Sequence, residues 1–224
     1  MHHSVSAFLE HSFSTKSYLD RKEVLEVGAR DYNGSPRALI ERYNPASYIG
    51  VDIARGPGVD VVCDATRLTN QFGLARFDVA IATEVLEHIE DWRGAISNIK
   101  HVLKPDGIII ATTRSKGFPL HGYPSDYWRY ELSDIKSIFS DMRIQTILPD
   151  PDLPGVFFVV SKPKTFKECS LDKIVLHSMV TGSRTPNITT SKKALFLAKF
   201  KLRKAVGKFL PSSIKIHLGM KWGL

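Results

Sequence analysis

The chain has 224 residues, of which 43% are hydrophobic and 24% charged, a balance that excludes a disordered chain or a fibrous repeat and favours one globular domain with an appendage. Its two cysteines, Cys63 and Cys169, lie far apart without the paired spacing of a zinc site, which excludes a disulfide framework and leads us to expect no metal site. The formal net charge of +8 is uneven: residues 1–162 hold 18 basic and 21 acidic residues, whereas residues 163–224 hold 13 basic and two acidic ones.

The amino-terminal segment lacks the continuous apolar stretch of a secretory signal. The longest apolar runs further along, such as residues 107–113 and 155–160, have the length of strands and are too short to span a bilayer. Free cysteines suit a reducing compartment. The sequence therefore predicts a cytoplasmic protein.

Short apolar segments alternate with segments of helical period between Val24 and Phe139, which is typical of a parallel sheet built from strand–helix units. The segments of strand length are almost entirely apolar, as expected where helices cover both faces of a sheet. The predicted strands are residues 24–28, 47–52, 60–64, 77–83 and 107–113. The predicted helices are residues 36–43, with Ser35 as N-cap and Pro36 in the first turn, residues 92–103 and residues 131–140.

The alternation changes after the third predicted helix. Residues 142–150 and 154–162 are two further strand-like segments joined by a proline-rich turn, which predicts an antiparallel hairpin. The expected fold class is α/β, doubly wound, with a mostly parallel seven-stranded sheet that ends in this hairpin. We assign residues 1–162 to this domain, residues 163–190 to an irregular linker and residues 191–224 to a basic tail.

Ligands of doubly wound sheets bind beyond the carboxyl ends of the strands, so the residues at those ends are the first candidates for a site. The first strand ends at Gly28, where a glycine lets the backbone pass close to a ligand. Asp52 ends the second strand 24 residues later, at a spacing suited to binding ribose hydroxyls. The third strand ends at Asp64, followed by Ala65, where an acceptor can take the amine of a base, and the fourth strand leads into Thr83-Glu84.

Five segments occur in an order that resembles a known family. EVG before a glycine-containing turn, GVD, CDA, FDVAIATEVLEHIEDW and LKPDGIIIATT together resemble class I S-adenosylmethionine-dependent methyltransferases of the small-molecule and glycan-modifying group, over about residues 20–162. The resemblance implies that the cofactor is S-adenosylmethionine and that the residues at the strand ends hold it. The implied cofactor-binding residues are Glu26, Gly28, Ala29, Arg30 and Asn33 at the methionine end, Asp52 and Ile53 at the ribose, Asp64 and Ala65 at the adenine, and Thr83 and Glu84 beside the sulfonium.

The first turn departs from the GxGxG pattern of that family, because Arg30 and Tyr32 stand where the second and third glycines belong. We expect Asn33-Gly34 to supply the tight backbone conformation instead, since this pair tolerates left-handed geometry, and Arg30 to suit the carboxylate of the donor. A dinucleotide dehydrogenase would use a similar sheet but requires GxGxxG after the first strand, which this sequence lacks.

Methyl transfer to a hydroxyl needs a base near the fourth strand end or in a lid, and His88 and His121 are the candidates. For His88, a solvent-facing or capping role is the alternative. His121 belongs to the long segment GFPLHGYPSDYWRY, whose aromatic residues can equally serve to pack the loop onto the sheet. The candidate acceptor-binding residues are Arg114, Tyr123, Asp126, Tyr127 and Arg129.

Residues 191–210 predict a basic amphipathic helix, with an apolar stripe that includes Leu195, Ala198 and Leu202. Three roles are open: anchoring to an anionic membrane surface, packing against the domain, and binding nucleic acid. We rank nucleic acid lowest because residues 1–162 carry more acidic than basic residues.

The favoured function is methylation of a small molecule, sugar or lipid-linked glycan intermediate, with the tail holding the enzyme at the inner membrane face. The alternatives are an RNA methyltransferase and a donor-binding but inactive scaffold.

Overall fold

A computed structural model describes residues 2–14, 19–122 and 125–209 of the chain. Within these ranges the α-helices are α1 (His3–Ser14), α2 (Arg37–Glu41), α3 (Leu68–Phe72), α4 (Trp92–Val102), α5 (Leu132–Ile138) and α6 (Thr190–Phe209). The β-strands are β1 (Glu23–Val27), β2 (Ser47–Asp52), β3 (Val61–Val62), β4 (Phe77–Thr83), β5 (Leu103–Arg114), β6 (Trp128–Arg129), β7 (Arg143–Pro149), β8 (Gly155–Ser161), β9 (Leu176–Ser178) and β10 (Ser183–Thr185).

Seven of the strands form one sheet in the order β3-β2-β1-β4-β5-β8-β7. The first five strands pair in parallel, and β8 runs antiparallel to both of its neighbours, β5 and β7. The order reverses between β1 and β4, which is the position where doubly wound sheets open a crevice for a ligand. The predicted α/β fold and its terminal hairpin are therefore confirmed.

The first predicted crossover helix is shorter than its sequence pattern indicates. Only Arg37–Glu41 are helical, and Pro36 rather than Ser35 occupies the N-cap position. Ser35 still contributes to the turn, because its hydroxyl accepts a hydrogen bond of 3.1 Å from the backbone N–H of Arg37. The length of α2 is limited by the residues after Glu41, where the chain turns through Asn44 at a φ of 54° before entering β2.

The amino-terminal helix α1 was not predicted from the sequence. Val5, Leu9 and Phe13 are buried on one face of the sheet, and the ring of Phe8 lies 5.0 Å from that of Phe157 on β8. The opposite face is covered by α4 and α5, whose apolar residues join a larger cluster around Trp92. The sheet is thus covered on both faces, as its apolar strands require.

Residues 163–190, expected to form an irregular linker, contain β9 and β10, which form a second, three-stranded sheet with β6. Leu171 and Leu176 are buried in the main core. The guanidinium of Arg93 on α4 also donates hydrogen bonds to backbone carbonyls of this segment. These contacts correct the expectation of an irregular segment, which the glycine, proline and small polar residues had suggested.

The basic amphipathic helix is present as α6, one residue longer at its start than expected. Leu195, Ala198 and Leu202 are exposed, so this part of the predicted stripe does not pack against the domain. Lys193 at the start of the helix forms an ion pair with Glu90. The remainder of the stripe, Ala205, Val206 and Phe209, and the tail from residue 210 lie outside the residues whose side chains are described. Among the described helices, none combines the length and apolarity needed to cross a membrane.

Candidate functional site

A cavity of about 1570 Å³ opens at the carboxyl ends of the parallel strands. Its walls come from the ends of β1, β2 and β4 and from the loops that follow β3 and β5. The structure brings together, as lining residues of this one cavity, fifteen of the predicted site residues: Glu26, Gly28, Ala29, Arg30, Asn33, Asp52, Ile53, Asp64, Ala65, Thr83, Glu84, His88, Arg114, His121 and Tyr127.

The turn after β1 reaches the cavity by a path that depends on glycine at two positions. Gly28 has a φ of +79°, and a Cβ there would lie 2.5 Å from Cγ2 of Val85. The backbone N–H groups of Gly28 and Ala29 both donate to the carbonyl of Val51 at 2.9 Å. Gly34 has a φ of 101° and donates its N–H to Asp31 Oδ1 at 2.7 Å. Gly34 thus provides the left-handed position that the absent glycines of the GxGxG pattern would supply.

Glu26 is a buried carboxyl group at the end of β1, 2% exposed. The hydroxyl of Tyr48 on β2 donates a hydrogen bond to its Oε2. Burial raises the pKa of Glu26 to about 7, although the bond from Tyr48 and the charge of Arg37 act in the opposite direction. A cationic group placed in the cavity next to this carboxyl would favour its ionised form.

The two aspartates at the ends of β2 and after β3 line the same cavity. Asp52 accepts a hydrogen bond from the N–H of Ala54 on Oδ1 at 3.0 Å. Asp64 caps the short helical turn that follows, accepting from the N–H and the hydroxyl of Thr66 on one oxygen, Oδ1. Ile53 is 73% exposed, with an apolar side chain available to cover a ligand. The pattern of carboxylate, exposed apolar group and second carboxylate suits a nucleoside.

Glu84, directly after β4, is held by a buried arginine. Arg114 at the end of β5 is 1% exposed and pairs with Glu84 and, at 3.0 Å, with Asp150. Burial and the neighbouring Glu87 raise the pKa of Glu84 to about 8, against the opposing charge of Arg114. Glu84 also has a φ of 53°, an uncommon backbone conformation for a residue other than glycine.

His88 and His121 are 33 positions apart in the sequence, and their ring centroids lie 4.7 Å apart. Nδ1 of His88 donates to the carbonyl of Ser125 at 2.5 Å, and Nδ1 of His121 donates to Asp126 Oδ2 at 3.1 Å. Gly122 enables this approach, because its φ is +60° and a Cβ there would lie 2.8 Å from His88 Cε1. Since both Nδ1 atoms carry the proton, the Nε2 atoms are the acceptors in the neutral rings.

Glu87 is a site residue that sequence reasoning missed. It is fully buried, and its Oε2 accepts a hydrogen bond of 2.8 Å from the hydroxyl of Thr113. Its other oxygen, Oε1, lies 3.7 Å from His121 Nε2 and 4.0 Å from His88 Nε2 without a hydrogen-bond partner. The available signal was a second carboxyl group next to the candidate base His88, one helical turn after Glu84.

Asp126 and Arg129, expected to contact an acceptor, are fully buried and pair with each other. Arg129 also donates hydrogen bonds to the carbonyls of Phe118 and Pro119, so it links the beginning of the loop to its end. Burial alone would raise the pKa of Asp126, but hydrogen bonds from Arg129 and His121 outweigh it and lower the pKa to about 2. This pair therefore positions His121 instead of meeting a ligand directly. The remaining acceptor candidate, Tyr123, lies outside the described residues.

A family model described as a methyltransferase domain matches residues 1–148. This range contains every strand from β1 to β6 and all of the cavity-lining residues named above. No protein of curated function matches the sequence.

Several solved structures share the fold. A 1,6-didemethyltoxoflavin N1-methyltransferase from Burkholderia thailandensis, solved with its substrate and S-adenosylhomocysteine, is 18% identical with a TM-score of 0.57, over 72% of this chain and 77% of that one. An S-adenosylmethionine-dependent methyltransferase from Aquifex aeolicus is 11% identical, with a TM-score of 0.54 over 70% and 91% of the two chains. One from Mesorhizobium loti is 12% identical, with a TM-score of 0.53 over 70% and 98%. At these identities the likeness concerns the fold.

Proposed function

Because the chain belongs to the methyltransferase-domain family, as a class I S-adenosylmethionine-dependent methyltransferase, we propose that it methylates a small molecule, sugar or lipid-linked glycan intermediate. The observation that carries this proposal is the single cavity of about 1570 Å³ in which the donor-binding candidates and the two histidines meet. Ligand pockets usually measure about 300–1,000 Å³, so this cavity has room for the donor and a small acceptor together.

The donor occupies the side of the cavity formed by β1, β2 and the segment after β3. Asp52 accepts hydrogen bonds from the ribose hydroxyls, and Asp64 accepts from the adenine amine through the oxygen that Thr66 does not use. Glu26 and the turn from Gly28 receive the methionine end, whose ammonium group suits a buried carboxyl. The methyl group then points towards the end of β4 and the histidine pair.

The acceptor occupies the side of the cavity next to His88 and His121. Its nucleophilic atom attacks the methyl carbon in line with the carbon–sulfur bond, whose electron pair stays on sulfur and yields S-adenosylhomocysteine. The proton of a hydroxyl acceptor passes to an Nε2 atom of the histidine pair, since both Nδ1 atoms are engaged as donors. Asp126 orients His121 for this role in the same way that a buried carboxylate orients a catalytic histidine.

The neighbour from Burkholderia thailandensis, a 1,6-didemethyltoxoflavin N1-methyltransferase, supports a small-molecule acceptor here. The exposed stripe on α6 supports a membrane-bound source for that acceptor, because leucines beside many lysines bind anionic lipid surfaces.

The experiment incubates the full-length protein with labelled S-adenosylmethionine and fractionated cell extract. We expect label in the small-molecule or glycolipid fraction, and its loss with the Asp52→Ala variant. Label that ribonuclease removes would favour an RNA methyltransferase and contradict the proposal. Donor binding without transfer to any fraction would favour an inactive scaffold.

A further inference from the structure

Three potential metal ligands converge on one point beneath the cavity. One ring nitrogen of His88, one ring nitrogen of His121 and a carboxylate oxygen of Glu87 all lie within 4.8 Å of one another. The two histidines line the cavity, whereas Glu87 lies below it with no exposed surface. The cluster therefore combines a buried anion with two imidazoles that face a ligand site.

The buried oxygen Oε1 of Glu87 has no hydrogen-bond partner. Its distances of 3.7 and 4.0 Å to the two Nε2 atoms are too long for hydrogen bonds. A buried carboxylate oxygen left without a partner is costly, and it normally indicates a missing proton, water or cation. Its orientation favours a cation, because Oε1 faces the Nε2 atoms of two rings whose Nδ1 atoms are already engaged, which leaves three possible ligand atoms around one point.

Each of the three groups makes a hydrogen bond that fixes its orientation. His88 donates Nδ1–H to a backbone carbonyl, and His121 donates Nδ1–H to the carboxylate of Asp126. Glu87 Oε2 accepts from the hydroxyl of Thr113. Metal-binding histidines in proteins almost always have such a partner on the second ring nitrogen, because it sets the tautomer and the orientation of the ring. The cluster thus has the supporting contacts of a metal site in addition to the ligands.

We propose that Glu87, His88 and His121 bind one divalent transition-metal ion, with Zn²⁺ as the best match. Two imidazole nitrogens and one carboxylate form a ligand set found in catalytic zinc sites, which keep a further position open. Imidazole ligands favour zinc and its neighbours over magnesium, which prefers oxygen. Ligands around zinc lie about 3.3 Å apart for bonds of about 2 Å, so the separations from Glu87 must shorten by less than about 1 Å.

The site deepens the proposed function and rests on it for its role. The open position faces the cavity, because both histidines line the acceptor side. A metal there would bind the oxygen of a hydroxyl acceptor and lower its pKa, which makes that oxygen a better nucleophile at neutral pH. The histidine nitrogens would then serve as ligands and not as the base, and the proton of the hydroxyl would pass to solvent water in the cavity. The inference narrows the acceptor class to compounds with an alcohol or phenol hydroxyl, and it reverses our expectation that the protein binds no metal.

The experiment measures zinc binding to the full-length protein after treatment with a chelator. We expect a saturable one-to-one calorimetric isotherm for Zn²⁺ with the wild type. Changing a supporting residue typically costs about 10- to 100-fold in affinity, so Glu87→Gln, His88→Gln and His121→Gln should each weaken binding by about 100-fold or more. His101→Gln is the matched control, because His101 lies 3.6 Å from Glu168 on the outer side of α4 and should leave zinc affinity unchanged.

S-adenosylhomocysteine is titrated into each protein as a second measurement. Retained donor affinity in the three variants would establish that they fold and would separate this proposal from the proposed function. A wild type that binds the donor product but no zinc overturns the metal site alone, and a wild type that binds neither overturns both. Equal zinc affinity in the ligand variants and in His101→Gln also overturns the site. Cobalt can replace zinc as a spectroscopic probe of the ligands. Absorption bands of cobalt bound to thiolate would also overturn the site, because no cysteine belongs to the cluster.

Discussion

The buried carboxyl group of Glu26 has a consequence for stability that can be measured in the protein without ligand. Its pKa of about 7 in the folded protein exceeds its ordinary value of 4.5 because burial disfavours the ionised form. The folded state therefore binds the proton more tightly than the unfolded state, and stability is lost as the pH rises from about 4.5 through about 7. The shift corresponds to about 3 kcal/mol.

The Glu26→Gln variant should remove this dependence. The measured quantity is the free energy of unfolding of the variant minus that of the wild type. We expect this difference to be larger at about pH 8.5 than at about pH 5, by about 2–3 kcal/mol. Urea unfolding at the two pH values measures the difference. Glu10→Gln, which changes an exposed carboxylate on α1, serves as the control. The same offset between Glu26→Gln and the wild type at both pH values would contradict the account.

At the residue scale, the strand-end residues could be predicted because the ends follow directly from the apolar runs that precede them. Asp52 and Thr83 end β2 and β4 as expected. Glu87 could not be predicted in the same way, since its partner Thr113 is 26 positions away and the loop of His121 must fold back to reach it. The roles of Asp126 and Arg129 also depend on burial, which a polar loop sequence does not reveal.

Elements with a strong hydrophobic period were predictable, and elements stabilised by distant contacts were not. The strands β2 and β4 and the helix α4 lie where the sequence placed them, with apolar residues at regular spacing. The helix α1 has a weak pattern but buries Val5, Leu9 and Phe13 against the sheet. The short strands β9 and β10 exist because β6 offers β9 an edge to pair with, which no local pattern of residues 163–190 indicates.

The helix α6 presents exposed Leu195 and Leu202 among lysines, which leads to a prediction for the tail. Deletion of residues 191–224 should abolish sedimentation with vesicles that contain anionic lipid, because each basic group near such a surface contributes about 1 kcal/mol. Binding of S-adenosylhomocysteine should be retained. Vesicles of neutral lipid provide the control. Sedimentation that persists after the deletion would exclude the tail as the membrane-binding element.

At the scale of the whole molecule, the order of strands explains why one cavity collects residues from the entire domain. The reversal between β1 and β4 leaves a crevice at their carboxyl ends, and the loops after β3 and β5 close it. The sequence predicted this architecture through the family resemblance and the succession of strand ends. The acceptor side is built by a loop that reaches Glu87 and His88 through contacts distant in sequence, which is why its chemistry depended on the structure.

The most direct test of the account is a calorimetric titration of the full-length protein with S-adenosylhomocysteine, for the wild type and for Asp52→Ala. The wild type should bind at one site, and the variant should bind roughly 10- to 100-fold more weakly, because hydrogen bonds to a charged acceptor contribute about 1.5–3 kcal/mol. Asp172→Ala, an exposed aspartate away from the cavity, should match the wild type. A folded wild type without affinity for the ligand, or an Asp52→Ala variant with unchanged affinity, would contradict the assignment of this cavity to the methyl donor.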